Sequence, residues 1–398
     1  MVKESDSKSD RLRLRRFESY RCRFSLLLSL MEFFSRTFKS SSKVLGRTAS
    51  GNLRAVASVS VVTASSPMDR FPLLLSEPSP NYSKLMTCLL ELKSSELTSV
   101  DLRSFEAMMN LLKRSEPEVC GKFLITAANV AAHQVNRGIL LDTVASKTIC
   151  RLLGASLDCI ATLHSVHVSR ALRCLTAVDH RESVDDLFAP LLGEILRPER
   201  LVSFSAMDLS EIAHSISSLS RRRTGDSLCS DSWKMMGMVM TAVLTEFIER
   251  STYINIRISP RSKSDKQWIS IQGLSNISFS LVATISSLAL DSRTDIKTRL
   301  ASVCYDLVAN NSEKQAIQSC QPFHVLSIIS NLSLLDDRVS KDEVKAVKLL
   351  LSELVRKRHS LTEFEEIHQT LSLLEKRWRN LDSSIRNVPL IVRDRLAG

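Results

Sequence analysis

Four arginines stand at one offset from a phrase that recurs along this chain. Arg181, Arg222, Arg338 and Arg377 each follow by three places the last Leu or Val of a repeated apolar pattern. Carried on stacked helical units, such side chains would line one edge as a row able to track a phosphate backbone. A local account competes: a cation near a helix C-terminus stabilises that helix by ~0.3–1 kcal/mol with no ligand at all. Two denser clusters, Arg221-Arg222-Arg223 and Lys376-Arg377-Trp378-Arg379, favour binding, the second because an aromatic ring among cations can stack a base.

Other chemistry finds less support. Cys159, His164, His167 and Cys174 fall within a short span and invite a zinc reading, but the two cysteines stand alone on apolar helical stripes rather than as a close pair on a knuckle. Core packing accounts for the cysteines and an inter-helix turn for the histidines. No Walker A loop, GxGxxG, HExxH or GxSxG occurs, and 10 glycines in 398 residues give little material for a phosphate-cradling loop. Asp185-Asp186, Asp336-Asp337 and Glu363-Glu365-Glu366 sit at helix starts or turns, where they favour the helix dipole. Neither an enzyme nor a cofactor is expected.

The elements that must position the arginines follow from the phrase itself: small polar, aliphatic, Ser, any residue, Leu. It appears as 215–219, 284–288, 331–335 and 370–374. Apolar residues lead into it at steps of three and four, as in Leu209, Ile212, Ile216, Leu219 and in Phe364, Ile367, Leu371, Leu374, which places them on one stripe of a helix. Val325, Ile328, Leu332, Leu335 repeat the pattern, and Val168, Ala171, Leu175, Val178 form a weaker upstream copy. Each copy precedes a second helical segment, and helix-turn-helix units recurring every ~40–70 residues predict an all-α protein, an α-solenoid of helix-turn-helix repeats. Residues 161–398 are the solenoid, and 83–160 hold N-terminal helical pairs that act as a cap or as diverged repeats. Leu219, Leu288, Leu335 and Leu374 should be equivalent core positions.

Composition agrees with this class and argues against bulk charge as the route to nucleic acid. Aromatics make up 5% and prolines number 10, too few turns and β-formers for a sandwich or propeller. The net charge is +11, yet 13 basic against 5 acidic residues precede Pro67, leaving 41 against 38 in the body. Nucleic-acid binding must therefore rest on local clusters. Residues 1–66, with no acidic residue between Phe33 and Met68, have the composition of a mitochondrial-type transit peptide or a disordered basic tail, with plastid import as an overlapping signal. Pro67, Pro72, Pro78 and Pro80 then predict a linker over 67–82 that no helix crosses. The run Phe24–Leu30 is too short to span a bilayer. Nine scattered cysteines without a CxxC pair imply a reducing compartment.

The recurring phrase, the loose helix pairs and the basic N-terminus together resemble the organellar helical-repeat proteins of the octotricopeptide and heptatricopeptide type, which are FAST-kinase-like in style. The likeness is carried by Leu209–Leu219, Leu281–Leu288, Val325–Leu335 and Phe364–Leu374. No RAP-type C-terminal domain is recognisable. The resemblance implies a matrix protein that binds organellar RNA, a transcript or rRNA, and acts in RNA processing, translation or ribosome assembly, alone or as a ribosome subunit beside other organellar proteins. The alternative is a HEAT- or armadillo-like scaffold that binds protein and never touches nucleic acid.

Overall fold

The structure is a computed structural model that describes residues 67–398 apart from 76–80, 94–104, 106–107, 111, 113–115, 139–141, 179–183, 223–229, 254–255, 260–266, 286–293, 335–338, 358, 360 and 398. The basic N-terminal segment, Arg181, Arg223, Leu288, Leu335 and Arg338 therefore lie outside the described residues.

The described chain is almost wholly helical. Pro67–Leu75 (α1) and Tyr82–Leu92 (α2) pack on one another. The proline-rich stretch is thus not a bare linker: Pro67 opens α1 and Pro72 lies within it. Phe71 is buried edge-on to Phe105 with ring centroids 5.8 Å apart. That burial offsets the backbone hydrogen bond Pro72 forgoes.

Helix pairs follow. Pro117–Asn136 (α3) is partnered by Asp142–Leu157 (α4), and Ser165–Leu175 (α5) by Asp185–Leu196 (α6). A short helix, Pro198–Ser203 (α7), leads to Ala206–Arg222 (α8), which pairs with Ser230–Tyr253 (α9). Ile271–Ile285 (α10) pairs with Thr294–Asn310 (α11). After the short helix Lys314–Ser319 (α12), Pro322–Leu332 (α13) pairs with Lys341–Val355 (α14). Leu361–Arg377 (α15), Ser383–Arg386 (α16) and Val388–Ala397 (α17) close the chain. Strand is confined, among the described residues, to a two-residue parallel ladder, Arg257–Ile258 (β1) on Trp268–Ile269 (β2), held because Ile256, Ile258 and Ile269 are buried.

First helices of successive pairs also touch: α3 lies on α5, α5 on α8, α8 on α10, α10 on α13 and α13 on α15. Second helices do the same through α4, α6, α9, α11 and α14. Hydrogen bonds give the sense of several of these neighbours. Ser165 Oγ donates to the Ser203 carbonyl (3.1 Å), Ser169 Oγ to Asp208 Oδ1 (2.9 Å), and Arg173 Nη1 to Glu211 Oε1 (3.1 Å), so α5 and α8 run in the same direction. Met207 against Ser270 and Ser217 against the Ser280 carbonyl say the same of α8 and α10.

The stripes read from the sequence form the core. Val168, Ala171, Leu175, Val178, Leu209, Ile212, Ile216, Leu219, Val325, Ile328, Leu332, Ile367, Leu371 and Leu374 are all buried. The serines among them bond back into their own helices, Ser217 Oγ to the Ala213 carbonyl at 2.8 Å and Ser215 Oγ to that of Glu211 at 2.7 Å. A satisfied hydroxyl adds little bulk, so neighbouring helices come close. Gly273 marks such a close approach, since a Cβ there would stand 2.8 Å from Ile269 Cγ1 and 2.9 Å from Met207 Sδ. Two starts are fixed by reciprocal or single caps. Ser205 Oγ accepts from the Asp208 N–H (3.1 Å) while the Ser205 N–H donates to Asp208 Oδ2 (2.9 Å), and Ser340 Oγ accepts from the Glu343 N–H (3.0 Å).

Candidate nucleic-acid interface

Of the residues the sequence offers for binding, the structure turns two inward. Trp378 is wholly buried, and its indole N–H donates to Glu343 Oε1 at 3.0 Å. Arg377 donates from Nε and Nη2 to the two Glu343 oxygens at 2.6 and 2.7 Å and from Nη1 to the Ser333 carbonyl at 3.3 Å. The physical reason lies in the helix stripe: Trp378 continues Ile367, Leu371 and Leu374 by a step of four, so it belongs to the core face. A Trp with no exposed surface has no face for a base, and an Arg in a bidentate bond to a buried carboxylate is already spent. Their flanking cations Lys376 and Arg379 are exposed.

The inward use of cations recurs from pair to pair. Arg200 Nη2 donates to the carbonyls of Ile160 and Ala161, each at 2.9 Å, while its Nε donates to Glu194 (2.6 Å). Arg250, at the end of α9, donates to the carbonyls of Leu201 and Val202 at 2.9 Å each, and also to that of Phe204. Lys357 reaches the Cys320 carbonyl, and Gln134 Nε2 donates to those of Leu92 (3.3 Å) and Lys93 (3.1 Å). Helix ends leave carbonyls without intrahelical partners. Here a long side chain from a neighbouring unit supplies the partner.

A second series of cations, which shares Arg221 with the clusters read from the sequence, stands at helix ends. Lys93 follows α2, Arg137 follows α3, Arg173 lies in the last turn of α5, and Arg221 closes α8 beside Arg222. These four helices are successive neighbours, so the ends that carry the cations fall in one series. Arg137 and Arg173 are exposed. The Arg221 guanidinium sits 5.0 Å from the Phe279 ring centroid, and burial holds its pKa below the usual arginine value. Burial also lowers the Lys93 ammonium, and Arg173 and Arg170 lower it further, which marks a field of excess positive charge. His133 between them is lowered by burial first and by Lys93 next. These positions share no common offset from the recurring phrase, which is why reading by register passes over them. Their signal is simpler: each cation stands in the last helical turn or just after it.

The cysteine and histidine cluster is dispersed. Cys174 is buried in α5 with its thiol pushed up to about 12 by desolvation, and His167 is buried with its pKa lowered to about 4, chiefly by desolvation. His164 is exposed before α5. Among the described residues no three of His, Cys, Asp and Glu converge as a metal site, and no helix is long and apolar enough to cross a membrane. No family model, curated protein or solved structure matches the chain.

Proposed function

We propose that this chain is an RNA-binding helical-repeat protein, an α-solenoid that acts on organellar RNA in processing, translation or ribosome assembly. Its mitochondrial address rests on the acid-poor basic stretch before Pro67. The observation that carries the RNA reading is the series Lys93, Arg137, Arg173 and Arg221 at the ends of four neighbouring helices. Phosphate contact needs cations at a repeating spacing on one edge, and this series supplies them in a body whose bulk charge is nearly balanced. The exposed Lys376 and Arg379 join this reading, as do, from the sequence, Arg181, Arg222, Arg223 and Arg338, which stand in or beside the register of the phrase.

The test is binding of single-stranded RNA by fluorescence anisotropy over a salt series. Replacing Lys93, Arg137, Arg173 and Arg221 by Gln should weaken binding across sequences and flatten the salt slope by roughly 0.7 per lost phosphate contact. An unaltered protein that binds no better than the quadruple variant at low salt would overturn the reading. A protein-binding scaffold is the second reading, favoured by the inward placement of Arg377 and Trp378. It expects no RNA affinity to lose.

A further inference from the structure

Between the C-terminal ends of α3 and α5 lies a cleft of about 190 Å³. Asn129, His133, Asn136 and Arg137 line it from α3 and its end, and Arg173 from α5, over a floor that includes Cys174. Every polar side chain in this lining is a hydrogen-bond donor or can become one, and no carboxylate is among them. Glu211 pairs with one nitrogen of Arg173 at 3.1 Å, and among the described residues no other acid bonds that guanidinium. Lys93 and Arg170 add charge from α2 and α5, close enough to act on each other. His133 Nδ1 is buried without a hydrogen-bond partner among the described residues.

A cation beside a helix C-terminus can exist only to neutralise the carbonyl end. Here several of those carbonyls already have other partners: Gln134 covers Leu92 and Lys93, the Arg137 N–H covers His133 (3.2 Å), and the Gly138 N–H covers Val135 (2.8 Å). Gly138 can close the end in this way because its φ is 67°, which glycine adopts without strain. The cation side chains are thus not the groups that cap these carbonyls.

We propose that this cleft is a binding site for a phosphate group. Arg137 and Arg173 grip its oxygens, the Asn129 and Asn136 amides and the His133 ring orient it, and Lys93 and Arg170 supply the surrounding field. The identification of the phosphate as one carried by RNA rests on the function proposed above; a free phosphate or a small phosphorylated molecule shares the same chemistry.

The experiment uses the full chain and two readouts. Thermal unfolding is compared in sodium phosphate and sodium chloride at equal ionic strength, for the unaltered protein, Arg137→Gln and Arg137→Glu. Arg137 is chosen because it is exposed and makes no ion pair among the described residues, so its loss leaves the fold intact. Phosphate should raise the Tm of the unaltered protein and raise it less in both variants. Affinity for single-stranded RNA should fall about tenfold in Arg137→Gln, the loss expected for a charge-assisted hydrogen bond, and further in Arg137→Glu. Phosphate protection that depends on Arg137 without any RNA binding supports the site and removes the RNA reading. RNA binding that is indifferent to Arg137, with equal phosphate effects in all three proteins, overturns the site and leaves the RNA reading standing.

Discussion

At the scale of single residues, Glu343 ties together three helices. Its N–H is held by Ser340, and its carboxylate, 1% exposed, accepts two nitrogens of Arg377 and the indole N–H of Trp378. Tyr305 borders the same group, and burial, with Glu343 next, raises its phenol far above the ordinary range. Glu343→Gln removes the charge that Arg377 faces and leaves a buried cation uncompensated, so it should cost roughly 3–5 kcal/mol in urea unfolding. Pairing Glu343→Leu with Arg377→Met should recover most of that loss, because no buried charge is then left over. If the double variant is no more stable than Glu343→Gln, the pair is not the cause. His167 gives a test by pH. Folded His167 holds off a proton until about pH 4, while the unfolded chain takes one near 6.5, so the unfolded state binds more protons between these values. Stability should therefore decline as pH falls from about 6.5 toward 4. His167→Asn lacks this decline, so the difference in urea midpoint between the two proteins should change across that window and nowhere above it. A constant difference would sink the idea. The inward turn of Trp378 also belongs at this scale. Its step of four from Leu374 is written in the sequence, but the neighbouring cations argue for the surface; nothing local reveals that a carboxylate 35 residues earlier takes its N–H.

At the scale of elements, helix starts and stripes were legible because they are written in adjacent residues. Pro322 opens α13 and Ser340 caps α14 as their types require. What ends a helix was not legible, because the partners of its last carbonyls come from another unit. Arg250 is the fullest case: it is 5% exposed, holds Glu246 at 2.5 Å, and covers three carbonyls at the end of α7 and beyond. Arg250→Met keeps the apolar stem and removes every donor. It should cost on the order of 1–3 kcal/mol for the uncovered groups and should loosen α7 first. Hydrogen exchange read peptide by peptide checks this. Faster exchange in 198–206 without change in α13–α15 is the expected pattern. A uniform rise would mean that Arg250 stabilises the fold by some route other than capping.

At the scale of the molecule, helices in substantial contact are never more than three places apart along the chain, among the described residues. Stability in such an arrangement approximates a sum of unit terms and nearest-neighbour interface terms. The joint between α8 and α10 is the place to test this, because β1, β2 and their connecting segment intervene there and the two helices meet through small residues. Gly273→Val puts a branched side chain where a single Cβ already stands 2.8 Å from Ile269 and 2.9 Å from Met207. Overpacking of that kind costs typically ~1–3 kcal/mol, and in a nearest-neighbour molecule the cost falls on one interface alone. The expected result is loss of cooperativity: urea unfolding resolves into two transitions, with amides of α10–α15 exchanging faster while those of α3–α6 keep their protection. The added bulk should act through the joint and not through helix propensity, so Gly273→Ser, with one heavy atom beyond Cβ in place of two, should give a smaller separation of the transitions. A single transition in Gly273→Val, shifted as a whole, would show that the described helices share one cooperative core and would remove the energetic basis for reading them as a repeat array.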